Sequence, residues 1–200
     1  MGLGGVFREA PESYAPGVIY MGIGEAGYVG LVRQEDGHLN AAAALDPSIL
    51  RTSSPQGVVA ALLRQAGLPC LGEGPSTPWQ GTPALTRSPP VLGAERVLAV
   101  GDSAGYVEPF TGEGICWALD SARAVAPFAV QAAEAWDGEI LLSWQECRRR
   151  RLAPAQRLCR AVSWTLRQPA LTRSTLRLLG AFPTVASPFL RRAAQPPALH

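Results

Sequence analysis

Lysine is absent from this 200-residue chain, and all 18 basic side chains are arginines. Without a lysine amine, no Schiff base can form with a carbonyl substrate. Histidine occurs only at 38 and 200, and the cysteines at 70, 116, 147 and 159 show no C-x-x-C spacing. No metal ligand set is therefore expected. Free thiols of this kind fit a reducing, cytoplasmic setting. No apolar run reaches the roughly 20 residues that a membrane-spanning helix needs, and nothing at the start reads as a signal peptide. Charged residues are only 17 % of the chain and the net charge is +2, too balanced for a nucleic-acid partner. A dinucleotide-binding strand–GxGxxG–helix unit is also missing. Gly2-Leu-Gly-Gly has no strand before it, and Gly22-Ile-Gly24 is followed by a strand pattern rather than a helix.

Apolar residues make up 47 % of the chain, enough for a sizeable core or for two small subdomains. Residues 17–24, 27–33 and 38–45 read as strands. Asp36-Gly37 predicts a two-residue hairpin turn, which sets Val32 opposite Ala41 and Gly30 opposite Ala43. One face of that hairpin then carries Gly and Ala, either for close packing under a helix or as floor space for a flat ligand. Residues 54–65 read as a helix capped by Ser54 with Pro55 in its first turn. A Gly/Pro-rich connection follows, with one short strand near 78–85 and Trp79 as a core anchor. Residues 96–100 (RVLAV) read as a buried strand.

A helix is expected over 115–131, packed through Ile115, Ala118, Leu119, Ala122 and Ala126. A longer one is expected over 139–166, with Leu141, Trp144, Leu152, Ala155, Leu158 and Val162 on one side and a kink or break at Pro154. The run Arg148–Arg151 fans over more than one helical face, so it reads first as solvated surface and second as contact with an anionic partner or the edge of a membrane. The tail, 171–192, offers short helices broken at Pro183 and Pro188.

Residues 97–114, VLAVGDSAGYVEPFTGEG, carry the densest signal. Gly101-Asp-Ser-Ala-Gly105 is a G-x-S-x-G pattern, the nucleophile elbow of α/β-hydrolases. An elbow needs a helix directly after the serine and a histidine later in the chain. Here Pro109 and Gly112 predict loop after Ser103, and the only later histidine is His200. The alternative is a strand, Gly101-Asp102, a loop, and Gly112-Glu113-Gly114 opening a helix. A carboxylate at a strand end accepts hydrogen bonds from a polyol. Glycines at a helix mouth admit a flat ligand to the backbone, whose free N–H groups favour negative charge.

The stretch GDSAGYVEPFTGEGICWALDSARA resembles the second flavin-binding motif of the p-hydroxybenzoate-hydroxylase-like and geranylgeranyl-reductase-like flavoproteins, with Gly101, Asp102, Ala104, Gly105, Pro109, Gly112, Gly114, Ile115 and Ala118 matching and Ser103 replacing a common Ala. Tyr20-Met-Gly22, Gly27-Tyr28-Val-Gly30 and Asp36-Gly-His-Leu-Asn40-Ala resemble a sheet segment of the reductase branch. The resemblance covers roughly residues 14–135. It implies FAD as cofactor, with Gly101 in the motif's turn and Asp102 on the ribityl hydroxyls. It also implies Pro109 near the isoalloxazine, and the N–H groups of Gly112, Glu113, Gly114 and Ile115 at its N1–C2=O edge.

The expected architecture is α+β. A substrate-domain-like antiparallel sheet and helix occupy 1–94, and the second flavin-binding motif, the last strand and helix of an incomplete Rossmann-like FAD domain, occupies 95–135. A helical C-terminal tail fills 136–200. The expected activity is electron transfer through flavin to an apolar small-molecule substrate, by reduction or monooxygenation, once an N-terminal GxGxxG half is supplied by a longer chain or a separate polypeptide. Alone, the chain is expected to bind FAD poorly. The alternatives are an inactive derivative that binds a partner or a lipid-like molecule and, distantly, a hydrolase using Ser103. No side chain stands out as a catalytic acid or base: Tyr28 and Glu113 are candidates, with a core tyrosine and a helix-start charge as the plain readings.

Overall fold

The computed structural model describes residues 1–72, 74–83, 85–108, 110, 112–182 and 184. The chain forms two units, one from Met1–Leu85 with Trp164–Arg173, the other from Thr86–Ser163 with the chain from Ser174 onward.

The first unit is built on an antiparallel five-stranded sheet, β1 (Gly2–Phe7), β2 (Ile19–Gly24), β3 (Gly27–Arg33), β4 (Leu39–Leu45) and β5 (Gln80–Thr82), in the order β2-β3-β4-β1-β5. Side chains alternate across a strand, so Val29, Leu31, Ala41, Ala43 and Leu45 share one face. They pack with Leu3 and Phe7 against Val58, Val59, Leu62 and Leu63 of helix α1 (Pro55–Gln65). Ser54 caps α1 by accepting the Gly57 N–H at 3.1 Å, with Pro55 in the first turn as expected. Trp79 packs against this core and meets Phe7 edge to face at 5.9 Å between ring centroids. Arg33 ties residues 10–14 to the sheet, donating from Nε to Tyr14 O at 2.7 Å and from Nη2 to Pro11 O at 2.7 Å.

Strand β1 is not anticipated by the sequence, because Gly2–Phe7 carries three glycines and a single β-branched residue, Val6. It is nonetheless paired on both sides, with Gly4 opposite Ala42 on β4 and Gln80 on β5. The β3–β4 register also differs from expectation. Gly37 N–H donates to Gln34 O (3.0 Å), Gln34 N–H donates to His38 O (2.8 Å), and Gly37 has φ +84°. This is a loop over residues 35–37 closed by a left-handed glycine, not a two-residue turn. The extra residue moves the pairing by one, so Gly30 opposes Ala42 and Val32 opposes Asn40. Asp36 holds the loop, accepting the His38 N–H at 3.0 Å and pairing with His38 Nδ1 at 2.7 Å. A Gly/Ala row therefore does exist, as Gly30, Ala42 and Gly4, on the face away from α1.

The second unit holds a short hairpin, β6 (Gly93–Ala94) and β7 (Val97–Leu98), and helix α2 (Gly114–Glu134). Helix α3 (Gly138–Leu166) begins in the second unit and ends in the first, and α4 (Pro169–Ala181) follows. Three expectations are corrected. The strand expected over 96–100 is regular only at Val97–Leu98 and is not buried: Val97 is 58 % exposed, and β7 pairs only with β6 among the described residues. Helix α2 packs through only part of the expected stripe. Ala118 meets the Gly101 turn, but Ile115 and Leu119 are 77 % and 59 % exposed, and the other packed residues are Ser121, Ala124, Val125 and Phe128. Both faces of α2 are apolar, so periodicity alone cannot choose between them. Helix α3 runs unbroken through Pro154, since a proline removes one ladder bond and the rest of a long helix can hold. Its buried residues are Ile140, Trp144, Leu152, Gln156, Cys159 and Ser163, so beyond Leu152 the inward face is partly polar and not the expected Ala155–Leu158–Val162 stripe. The expected breaks at Pro183 and Pro188 lie outside the described residues.

Candidate functional site

Val100 is extended (φ −134°, ψ 166°), and the chain then tightens into a single 3-10 turn over Gly101–Ala104. Helix α2 fixes that turn. Gly101 N–H donates to the buried Ser121 Oγ at 3.2 Å, and a Cβ on Gly101 would lie 3.3 Å from Ala118 Cβ. Small residues at Ala118 and Ser121 thus let the helix approach the strand end. Below the turn, buried Ala104 joins Leu92 and fully buried Trp144 in the core of this unit. Trp144 packs on Phe128 with centroids 5.9 Å apart and donates from Nε1 to Ala99 O at 3.0 Å. The turn therefore sits on a packed indole whose polar atom is satisfied.

Gly105 leaves the turn at φ +127°, its N–H donating to Asp102 O at 3.2 Å. A side chain there would press on Arg148 Nη2 (3.2 Å) and Arg87 O (3.3 Å), so glycine is required by conformation and by space. Tyr106 and Arg87 exchange backbone hydrogen bonds of 2.8 Å in each direction.

The residues singled out in the sequence fall as follows. Asp102 is exposed on the turn. Gly101, Asp102 and Gly114 line one narrow crevice of about 10 Å³ together with Tyr106 and Trp117. Gly112 has φ +74°, and among the described residues nothing beyond the chain neighbours and the helix's own backbone lies within 4 Å of where a Cβ would stand on Gly112 or Gly114. Glu113 is the N-cap of α2, its side chain makes no capping bond, and its carbonyl accepts the Trp117 N–H at 3.0 Å. By helix geometry the N–H groups of the first turn, Ile115 included, have no acceptor within the helix. Pro109 lies outside the described residues. Tyr28 is buried in the other unit.

Ser103 is not a nucleophile poised by a base. Its hydroxyl donates to Val100 O at 2.6 Å, and α2 begins only at Gly114.

Sequence reading did not single out Tyr106, Ser121, Arg148 or Gln156. Tyr106 shares the crevice with Asp102. Burial, then the Asp102 and Glu108 carboxylates, push its phenol above the usual value, so it stays a neutral donor near pH 7. Arg148 was hidden inside a run of four arginines. Arg149 and Arg150 bind Glu146 at 2.7 and 2.6 Å, Arg151 binds Asp120 at 3.2 Å, and Arg148 alone is half-buried, its Nη2 3.4 Å from Gly105 O. No group of three or more potential metal ligands occurs among the described residues, and none of their helices is long and apolar enough to cross a membrane.

The sequence matches no family model and no curated protein. Solved structures do match. The Diels-Alderase PyrE3 of pyrroindomycin biosynthesis superposes with a TM-score of 0.67 at 20 % identity, over 96 % of this chain and 43 % of its own. PqsL, a probable FAD-dependent monooxygenase from Pseudomonas aeruginosa, gives 0.60 at 17 % identity, over 88 % of this chain and 51 % of its own. The flavin-dependent brominase Bmp2 gives 0.62 at 10 % identity, over 90 % and 50 %. The chain thus has the fold of part of the flavin-dependent monooxygenases and halogenases, and it spans about half the length of these three structures.

Proposed function

We propose that the chain supplies the flavin-contacting turn and the substrate-side sheet of an FAD-dependent oxidoreductase acting on an apolar organic substrate. The observation that carries this reading is the pairing of an exposed carboxylate, Asp102, with space that the described residues leave open over Gly112 and Gly114 at the mouth of α2. The neighbours in structure include flavin-dependent enzymes, which supports it. A bound flavin supplies reversible electron transfer between a reductant and the substrate.

In this reading Asp102 accepts hydrogen bonds from the ribityl hydroxyls, each contributing about 1.5–3 kcal/mol. The N–H groups of Gly112, Glu113, Gly114 and Ile115, with the positive end of α2, face the ring edge and favour negative charge there by about 0.3–2 kcal/mol. Tyr106 keeps its proton and can donate beside Asp102. The apolar substrate would be reduced or monooxygenated. No strand–GxGxxG–helix unit occurs in the sequence, so in this reading a dinucleotide-binding half completes the FAD site. The exposed Ile115, Leu119 and Val130 on the outer face of α2 support such an association, because an exposed apolar patch marks an interaction surface. Without that half, the chain would act only as a binding protein.

The test is a titration of the intact chain with riboflavin and with FAD, followed by flavin fluorescence. Both should bind saturably and with similar affinity. Asp102→Ala should weaken both about tenfold, and Gly114→Leu should abolish binding while the far-ultraviolet circular dichroism stays unchanged. If both variants bind like the parent chain, the reading fails.

A further inference from the structure

A second concavity in the same unit, about 410 Å³, lies between the segment around Arg87 and the inward side of α3, reaching Gly105. Arg87, Arg148, Arg149 and Arg160 line it, against a single carboxylate, Glu146. That carboxylate is committed: it accepts from Arg149 at 2.7 and 2.8 Å and from Arg150 at 2.6 Å. Arg148 has no carboxylate partner among the described residues. Its guanidinium makes one long bond, from Nη2 to Gly105 O at 3.4 Å, and its Nε is buried without a hydrogen-bond partner among them. Arg160 stands exposed at the rim. Gln156, only 8 % exposed, lines the same wall and makes no side-chain hydrogen bond to the described residues.

Buried donors left unmatched cost free energy until an acceptor reaches them. Two arginines without carboxylate partners, one of them half-buried, and an inward amide surround a space of small-ligand size. We infer that this cavity is a binding site for a small phosphorylated ligand, gripped by Arg148 and Gln156 and neutralised by Arg160. A phosphomonoester carries nearly two negative charges at neutral pH and several acceptor oxygens, which matches two cationic forks better than a single carboxylate does. Planar guanidinium groups bind such oxygens two at a time. Burial draws the Arg148 guanidinium below its usual value, and an entering dianion would reverse that. The inference does not rest on the flavin reading: Arg148 and Gln156 also border the Asp102 crevice, but Asp102 itself does not line this cavity.

The experiment is calorimetric titration of the intact chain with inorganic pyrophosphate and with inorganic phosphate, at ionic strength held constant with sodium chloride. One saturable site is expected. Arg148→Met should weaken binding about tenfold or more, and Arg160→Gln severalfold. Because Arg148 touches the Gly105 turn, Arg160→Gln, at an exposed position, keeps the test valid if Arg148→Met misfolds. Asp102→Ala should bind as the parent does. Non-saturable heats, parent-like affinity in Arg160→Gln and in any folded Arg148→Met, or loss of binding in Asp102→Ala would overturn the proposal.

Discussion

Ser103 and Trp144 occupy opposite sides of one turn, and their hydrogen bonds decide what each can do. The Ser103 hydroxyl closes the turn on Val100 O, so a fluorophosphonate probe should leave it unlabelled under conditions that label a serine hydrolase. Labelling would restore the nucleophile reading. Trp144 is fully buried with its N–H on Ala99 O. Trp144→Ala should cost about 3–5 kcal/mol in urea denaturation, and Trp144→Phe less, roughly 1–3 kcal/mol from the carbonyl left unpaired. At the surface, Arg149 and then Arg150 hold the Glu146 carboxyl at about 2, below its ordinary 4.5. A depressed carboxylate contributes stability above its unfolded value and loses it as pH falls through the folded one. The difference in melting temperature between the parent and Glu146→Gln should therefore be small and constant near neutrality, and should vanish between pH 4.5 and about 2. A difference that grows on acidification would contradict the ion pairing. At this scale the sequence was informative where chemistry is local. The glycines at 101, 105 and 112 were legible, because each takes a positive φ that glycine adopts freely. Ser121, Tyr106 and Gln156 were not, because their roles depend on partners far along the chain.

Elements were legible where one face is apolar and the other polar. Strands β2 to β4 and helix α1 carry that alternation and stand within about two residues of where the pattern places them. The β3–β4 register was not legible, because Asp-Gly serves both a two-residue turn and the last two positions of the longer loop. Helix α2 failed differently: outside the polar strip of Asp120, Arg123, Gln131 and Glu134 it is apolar around most of its circumference, so its sequence does not say which apolar face meets which neighbour. Its outer face remains open, with Val130 at 61 % exposed besides Ile115 and Leu119. Leu119→Gln should therefore leave the denaturation midpoint of the chain within about 0.5 kcal/mol while weakening association with a dinucleotide-binding half. A large loss of stability would show that this face is already used. In the sheet, a Cβ on Gly27 would lie 2.0 Å from Ala44 O, and the backbone there has φ +127°. Gly27→Ala should destabilise the first unit by several-fold more than the roughly 1 kcal/mol of an ordinary glycine replacement, as read by urea denaturation.

For the whole molecule, the chain carries the fold of about half of each solved structure it matches, with the turn and helix mouth in one unit and the sheet in the other. The resemblance in sequence rested on two short motifs, and the structural neighbours extend it to fold at identities of 10–20 %. The decisive measurement is reconstitution: the intact chain mixed with FAD and a separately produced strand–GxGxxG–helix half, scored by flavin absorbance that co-elutes on gel filtration. Colour should appear with the parent chain, fall sharply with Asp102→Ala, and be absent with Gly114→Leu. Equal colour in all three would show that the acidic turn and the open mouth of α2 do not hold flavin.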